Sequence, residues 1–394
     1  MSKVGKEPIA LDYMPWADLG KEFTIGPVSF WPFYAKAEEK IPDPAVRADL
    51  TRFFETFVDN VGKPVKTVVA CSCGEIAFRR FTPEELRAIR AAVDSLIFAS
   101  VASGTRSAVC ADNNSMAPPS ADRFDLCARW VWPCHDGMVV ATENSTGFWT
   151  HGKYWIPRPL SVGGSFSGNY RPLSQGLGCA FSPEFPTDVR ERLFRTFEWF
   201  RFAHTESTAV SWLHKVVMMA TAFEILLDFP ESGKRRHFID QINSNLCLSD
   251  SYMVEMQDGR NGTFNVCKAA EWAGQFYNLR NDITHGDVVP YERLQYKDWI
   301  THLIVADMVM LELVKRLLYK HRCIGDYLRH RAAEWAKDSP DPPEKFEERL
   351  LAGMFGLDVE GVHEALGWVP PYEEQLKRLE NQIRDGLPKA TDRS

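Results

Sequence analysis

The sequence predicts an α+β protein: a mixed α/β domain over residues 1–182, an all-α helical bundle over 183–336, and a linker with a short helical tail over 337–394. Three observations carry that expectation. Short apolar runs alternate through the first half, as half-buried strands do. From residue 187 onward apolar positions recur at three-and-four spacing instead, the period of a helix with one buried stripe. Pro183 and Pro186 punctuate the chain where the texture changes.

In the first half, residues 22–31 (Phe23, Ile25, Val28, Phe30), 67–71 and 76–81 read as strands. Thr82, Pro83 and Glu85 form a strong helix start, with Thr82 as N-cap, Pro83 at the first helical position and Glu85 closing a capping box. The helix it opens is expected to reach about Ser103, and residues 102–122 read as a polar loop. Residues 124–132 and 137–143 look like a strand pair around 133–136, with irregular β structure continuing to Phe181.

The chemistry of this half is weak. Cys71 and Cys73 form a C-x-C and Cys134 precedes His135, but paired C-x2-4-C knuckles are missing, so no metal site is expected. Trp31, Trp130, Trp132, Trp149 and Trp155 read as core aromatics, with a ligand-stacking role as the alternative. The glycine-rich run at 162–168 lacks the GKS or GKT of a phosphate loop.

In the second half, residues 187–203 carry Leu193, Phe194, Phe197, Phe200 and Ala203 on one helical stripe. Residues 208–229 are apolar almost all round, as suits a helix inside a bundle, and His214, Lys215 and Glu224 make it a poor membrane span. Residues 233–246 form a short third helix, 269–282 a fourth with Trp272, Phe276, Tyr277 and Leu279, and 297–321 a fifth. Beyond them, 337–343 is a Pro/Asp linker, 345–356, 359–368 and 372–385 read as short helices, and 386–394 frays.

Composition narrows the function. Hydrophobic residues at 45% and charged residues at 25% are ordinary for a globular chain of 394 residues. A net charge of -7 excludes a surface coated for nucleic acid, so any such site must be a local patch. The polar start, residues 1–6, has no apolar stretch after it, so a secretory leader is not expected. Nine cysteines fit reduced thiols in a cytoplasm better than a disulfide framework.

The most informative run is Arg280-Asn281-Asp282-Ile283-Thr284-His285, with Gly286 after it. An R-x4-H pair recurs at Arg316 and His321, but there Leu317 and Leu318 follow the arginine, and basic residues late in a helix are ordinary partners of its C-terminus. The first copy has a polar residue after the arginine and a glycine after the histidine. RNA carries its own nucleophile, the 2′-hydroxyl. Cleavage then needs a proton-transfer group, which a histidine titrating near neutrality supplies. It also needs a cation for the phosphoryl oxygens, which the forked guanidinium of arginine matches. His285 is accordingly the candidate acid/base, Arg280 the phosphate stabiliser and Asn281 the orienting residue, with no metal and no cofactor. Lys234, Arg235 and Arg236, followed by His237, form the one dense basic cluster in the bundle and are candidate contacts to an RNA backbone, with a solvated helix start as the alternative. The alternative is structural: Arg280 paired with Glu224 across the bundle, and His285 an ordinary helix-end residue.

The 280–285 run, together with Ala222-Phe223-Glu224-Ile225-Leu226-Leu227, resembles the signature of HEPN domains, in particular the Apea-like branch, over residues 187–321. The resemblance implies a helical bundle and a metal-independent endoribonuclease leaving a 2′,3′-cyclic phosphate and a 5′-hydroxyl. It also implies a homodimer in which the motifs of two protomers face each other in one site. A role in bacterial antiphage defence or toxin-like growth arrest follows from it as well, with RNA (tRNA among the candidates) as substrate and the N-terminal domain as sensor or restraint. Catalytically silent members that bind RNA or a partner protein are the other expectation it carries.

Overall fold

A computed structural model describes residues 9–58, 62–110, 120–124, 130–134, 137–141, 146–150, 156–157, 171–207, 209–247, 253–257, 262–297, 300–324 and 366. Helices and antiparallel sheets are both present, as an α+β class requires. In chain order the first half holds β1 (Asp12–Met14), β2 (Phe23–Ile25), β3 (Val28–Pro32), α1 (Phe33–Lys40), α2 (Pro44–Phe54), β4 (Phe57–Val58), β5 (Val69–Cys73) and α3 (Pro83–Cys110). Strands β6 (Trp130–Cys134), β7 (Gly137–Ala141), β8 (Thr146–Thr150) and β9 (Ile156–Pro157) and helix α4 (Arg171–Cys179) complete it. The second half holds α5 (Thr187–Ala203), α6 (Trp212–Leu226), α7 (Lys234–Leu246), β10 (Met253–Gln257), β11 (Thr263–Cys267), α8 (Lys268–His285), β12 (Gln295–Lys297), β13 (Ile300–Thr301) and α9 (His302–Lys320).

The expected strand over 22–31 is instead a hairpin. Gly26 takes φ 57°, a left-handed value that turns the chain and pairs β2 with β3 antiparallel. Strand β5 lies two residues later than expected and joins β1 and β3 in a sheet of order β1-β5-β3-β2. Residues 76–81 form no strand; only an isolated bridge, Ile9 to Phe78, touches the segment. Sequence reading also missed α1 and α2. Asp43 caps α2, accepting from the Ala45 and Val46 amides, with Pro44 behind it. Those helices and the sheet enclose an aromatic core of Tyr13, Trp31, Phe33, Phe53, Phe54 and Phe57, so Trp31 is core. Trp155, the segment 162–168 and the helices expected at 345–356 and 372–385 lie outside the described residues, as does 359–368 apart from the buried Leu366.

Helix α3 opens on the expected capping box: the Glu85 amide donates to Thr82 Oγ1 (3.2 Å) and the Thr82 amide to Glu85 Oε2 (2.8 Å). It does not stop at Ser103 but runs on to Cys110, because tertiary contacts replace the missing sequence signal there. Ala102 and Thr105 are buried, and the Thr105 hydroxyl donates to Asp307 Oδ2 of α9 (3.0 Å). Residues 171–179, expected as irregular β, are helical, with Leu173 and Leu177 buried one turn apart. In place of the strand pair expected at 124–132 and 137–143, the β6–β7 hairpin has its first strand at Trp130–Cys134, running into the residues read as the turn, with Phe124 in a 3-10 turn, and β8 extends the hairpin to three strands.

The main core is continuous from α3 to α9. Phe98 stacks on Phe197 of α5, with ring centroids 4.5 Å apart, and Arg201 of α5 donates to the buried carboxylate of Asp94 (2.7 Å). Helix α8 packs closely on α7 because Gly274 leaves room: a Cβ there would sit 2.8 Å from Met256 Cε and 3.2 Å from Ile239 Cδ1. The bundle is not purely helical, since the β10–β11 hairpin is inserted before α8. Among the described residues no helix is long and apolar enough to cross a membrane.

His302, the first residue of α9, is buried and accepts at Nδ1 from the Trp272 indole N–H (3.1 Å). Burial, helped by the charge of Arg293, holds its pKa down to about 4. A histidine lowered on folding must take up its proton on unfolding, so its contribution to stability is present above about 6.5 and is lost as pH falls towards 4. The loss is on the order of 3 kcal/mol across that window. Urea midpoints at pH 7 and pH 4.5 are expected to converge in His302→Gln, which keeps an acceptor for Trp272 but does not titrate.

Candidate active site

Helix α8 exists because Ala269, Ala270, Trp272, Ala273, Phe276, Tyr277 and Leu279 present one apolar stripe to α6 and α7. It ends where Gly286 adopts φ 84°, a left-handed cap whose amide bonds back to the last turn. The whole 280–285 run is therefore helical, three residues further than the sequence suggested.

Each residue of the run has a distinct environment. Arg280 is largely covered, with 23% of its side chain exposed, and its Nη2 lies 3.3 Å from Glu224 Oε1 on α6. Its Nη1 donates to Asn281 Oδ1 (3.2 Å), its guanidinium sits 5.5 Å from the Tyr277 ring centroid, and its buried Nε has no hydrogen-bond partner. Asp282 pairs with Arg293 (2.6 Å), and the Thr284 hydroxyl donates to the Asn281 carbonyl (3.0 Å). His285 is exposed at the helix end and makes no hydrogen bond or ion pair to the described residues.

Glu224 organises the buried side of this region. It accepts from the Tyr277 hydroxyl (2.8 Å) and from Lys234 Nζ (2.7 Å) besides facing Arg280, and only 14% of its side chain is exposed. Burial, then the hydrogen bond and charge of Glu224, push the Tyr277 phenol up, so it remains a donor. The Arg280–Glu224 pairing considered from sequence thus forms, as one arm of a three-donor cluster.

Above that cluster lies an open groove of about 630 Å³, lined by Gly233, Lys234, Arg235, Arg236, Tyr277, Arg280 and Asn281. The basic run at the start of α7 and the arginine of α8, 44 or more residues apart in sequence, therefore meet on one surface with no acidic side chain among the lining. The cations of the groove have local partners: Lys234 holds Glu224, while Arg236 pairs with Asp240 (2.9 Å) and lies over the Phe264 ring at 3.8 Å. Tyr277 was read from sequence only as an apolar position; its spacing of three from Arg280 was the available signal, since such pairs share a helix face.

His285 is not brought into the groove. At about 100° per residue, five positions turn it roughly 140° away from Arg280 about the helix axis. Asn281, four residues before it, shares its face and also lines the groove. Within one chain, then, the cationic groove and the exposed imidazole are neighbours on one helix that point in different directions.

Both cysteines of the first-half pair lie on β5. Cys71 is wholly buried, which raises its pKa well above the ordinary value, with Asp12 adding to the effect; burial and Glu85 push Cys73 up to about 11. Among the described residues no group of three His, Cys, Asp or Glu is arranged to hold a metal ion. The second R-x4-H pair is built into packing: burial lowers the pKa of Arg316, and His321 lies against the Phe185 ring at 5.1 Å. No protein-family model, curated protein or solved structure matches the chain.

Proposed function

We propose that the chain is an endoribonuclease of HEPN type that cleaves RNA without a metal, by attack of the ribose 2′-hydroxyl on the adjacent phosphate. The observation that carries this reading is the groove where Lys234, Arg235, Arg236 and Arg280 converge, one helix turn from an exposed His285 that makes no hydrogen bond or ion pair to the described residues. Guanidinium and ammonium groups bind phosphate oxygens irrespective of base, and Arg280 supplies the charge that steadies the developing phosphorane. Asn281 fixes one arm of that guanidinium. His285 moves the proton.

Because Arg280 and His285 diverge on one helix, the reading requires a homodimer in which the histidine of one copy approaches the groove of the other. The finer layout follows the same resemblance: residues 187–321 as the HEPN bundle, the N-terminal part as sensor or restraint, and a cytoplasmic role in antiphage defence or growth arrest. Incubation of purified protein with total RNA and a chelator tests it. Discrete fragments ending in 2′,3′-cyclic phosphate are expected, and intact RNA under these conditions counts against it.

A second reading has its own observation. Glu224 already occupies Arg280, Lys234 and Tyr277, as it would in a catalytically silent module that binds RNA or a partner protein. Glu224→Gln separates a phosphate-binding groove from a purely structural cluster. It keeps the shape but removes the anion, so single-stranded RNA is expected to bind several-fold more tightly by fluorescence anisotropy, while stability falls by about 1–3 kcal/mol. A purely structural cluster would show the stability loss with RNA affinity unmoved.

A further inference from the structure

A second cavity, of about 310 Å³, lies at the other end of α6, where the end of α5 and the start of α9 meet it. Ala203, Trp212, Leu303 and Ile304 give it apolar walls, and Ser120, Thr301, His204, Glu206, Lys215 and Asp307 its polar atoms. That volume is enough for a small organic molecule.

Two of its charges, His204 and Asp307, are settled against each other. His204 Nδ1 lies 2.7 Å from the Phe200 carbonyl and Nε2 lies 2.8 Å from Asp307 Oδ1, while Thr105 donates to Asp307 Oδ2. A carbonyl only accepts, so Nδ1 carries a proton, and the carboxylate facing Nε2 favours a second. Burial opposes that charge, but Asp307 and the Phe200 carbonyl outweigh it and the His204 pKa is raised. The wall therefore holds a closed imidazolium–carboxylate pair. The Glu206 backbone amide is tied to Asp122 Oδ2 (2.7 Å).

Lys215 differs. Its ammonium makes no hydrogen bond or ion pair to the described residues and lies 5.0 Å from the ring centroid of Trp212, which is more than half exposed. Burial lowers its pKa, an effect that the more distant charges of Asp122 and Glu206 only partly offset. A half-buried cation without a hydrogen-bonding anion, beside an exposed indole and an apolar floor, is the complement of a flat apolar molecule bearing a negative group.

We propose that this cavity binds a small organic anion, its carboxylate, sulfonate or phosphate on Lys215 and its flat apolar body between Trp212, Leu303 and Ile304. The site is separate from the groove: Lys215 and Glu224 are nine residues apart on α6, about 14 Å along the axis, so loss of one need not affect the other.

The test uses two fluorescent probes with one aromatic body, anionic 1-anilinonaphthalene-8-sulfonate and neutral N-phenyl-1-naphthylamine, titrated against the full chain. The sulfonate is expected to bind the wild type more tightly than the neutral probe. Lys215→Met should weaken the sulfonate about tenfold or more, the worth of one charge-assisted hydrogen bond, and leave the neutral probe unchanged. Lys215→Arg should retain most of the sulfonate affinity, and Trp212→Ala should weaken both probes. Equal binding of the two probes to the wild type, or sulfonate binding indifferent to Lys215→Met, overturns the proposal.

Discussion

Truncating His285 to alanine is expected to lower RNA cleavage about a hundred- to ten-thousandfold, the range lost with a general acid/base, while leaving the unfolding midpoint unchanged. The second half of that expectation follows from the exposed imidazole, which has no hydrogen bond among the described residues to lose. Arg280→Ala should abolish cleavage as thoroughly but for mixed reasons. It removes the phosphate stabiliser and also leaves Glu224 with two of its three partners, costing about 1–3 kcal/mol of stability. Arg280→Lys keeps the charge near Glu224 and loses only the fork, so it should fold like the wild type and cleave far more slowly. Initial rates on a labelled RNA, paired with urea midpoints for each variant, separate the two effects.

The largest stability effect is expected at Asp307. Its carboxylate is buried, with one oxygen on His204 and the other on Thr105. Asp307→Ala leaves a buried imidazole facing no acceptor and is expected to cost about 3–5 kcal/mol. Asp307→Asn tests the charge alone. A histidine raised on folding contributes stability that is fully present below its unfolded pKa of about 6.5 and is lost as pH rises through the folded value. The gap between wild type and Asp307→Asn should therefore be widest in mild acid and narrow above neutrality. The opposite trend from His302 is common to both proteins and cancels in the difference.

What was legible in the sequence was what local pattern determines. Helix α5 spans Thr187–Ala203, the bounds read for it, and the Thr82–Glu85 capping box forms as read. Helix α6 starts later than Thr208 because Ser211, not an earlier residue, accepts from the His214 amide as N-cap. Strand β10 escaped notice because Met253, Glu255 and Gln257 are exposed and Val254 is its only β-branched residue, which leaves little strand signal.

The site divides the same way. Arg280, Asn281 and the 234–236 run were each visible as local motifs, and the fold places them in one groove. The Arg280–Glu224 contact was foreseeable because both charges interrupt apolar helix faces. The pairing of His204 with Asp307, 103 residues apart, carries no local signature at all. Only the tertiary fold creates it, with α3 and α6 each packed against both α5 and α9.

The joint action of Arg280 and His285 across two copies is tested most directly by mixing two dead proteins. Arg280→Ala and His285→Ala, each expected to leave RNA intact alone, are denatured together, refolded at equal concentration and incubated with RNA and a chelator. If the arginine of one copy works with the histidine of the other, the mixture regains a substantial fraction of wild-type cleavage, with 2′,3′-cyclic phosphate ends. A mixture as inert as its components, beside an active wild type refolded in the same way, would contradict the shared site; a wild type that leaves RNA whole would contradict the nuclease itself.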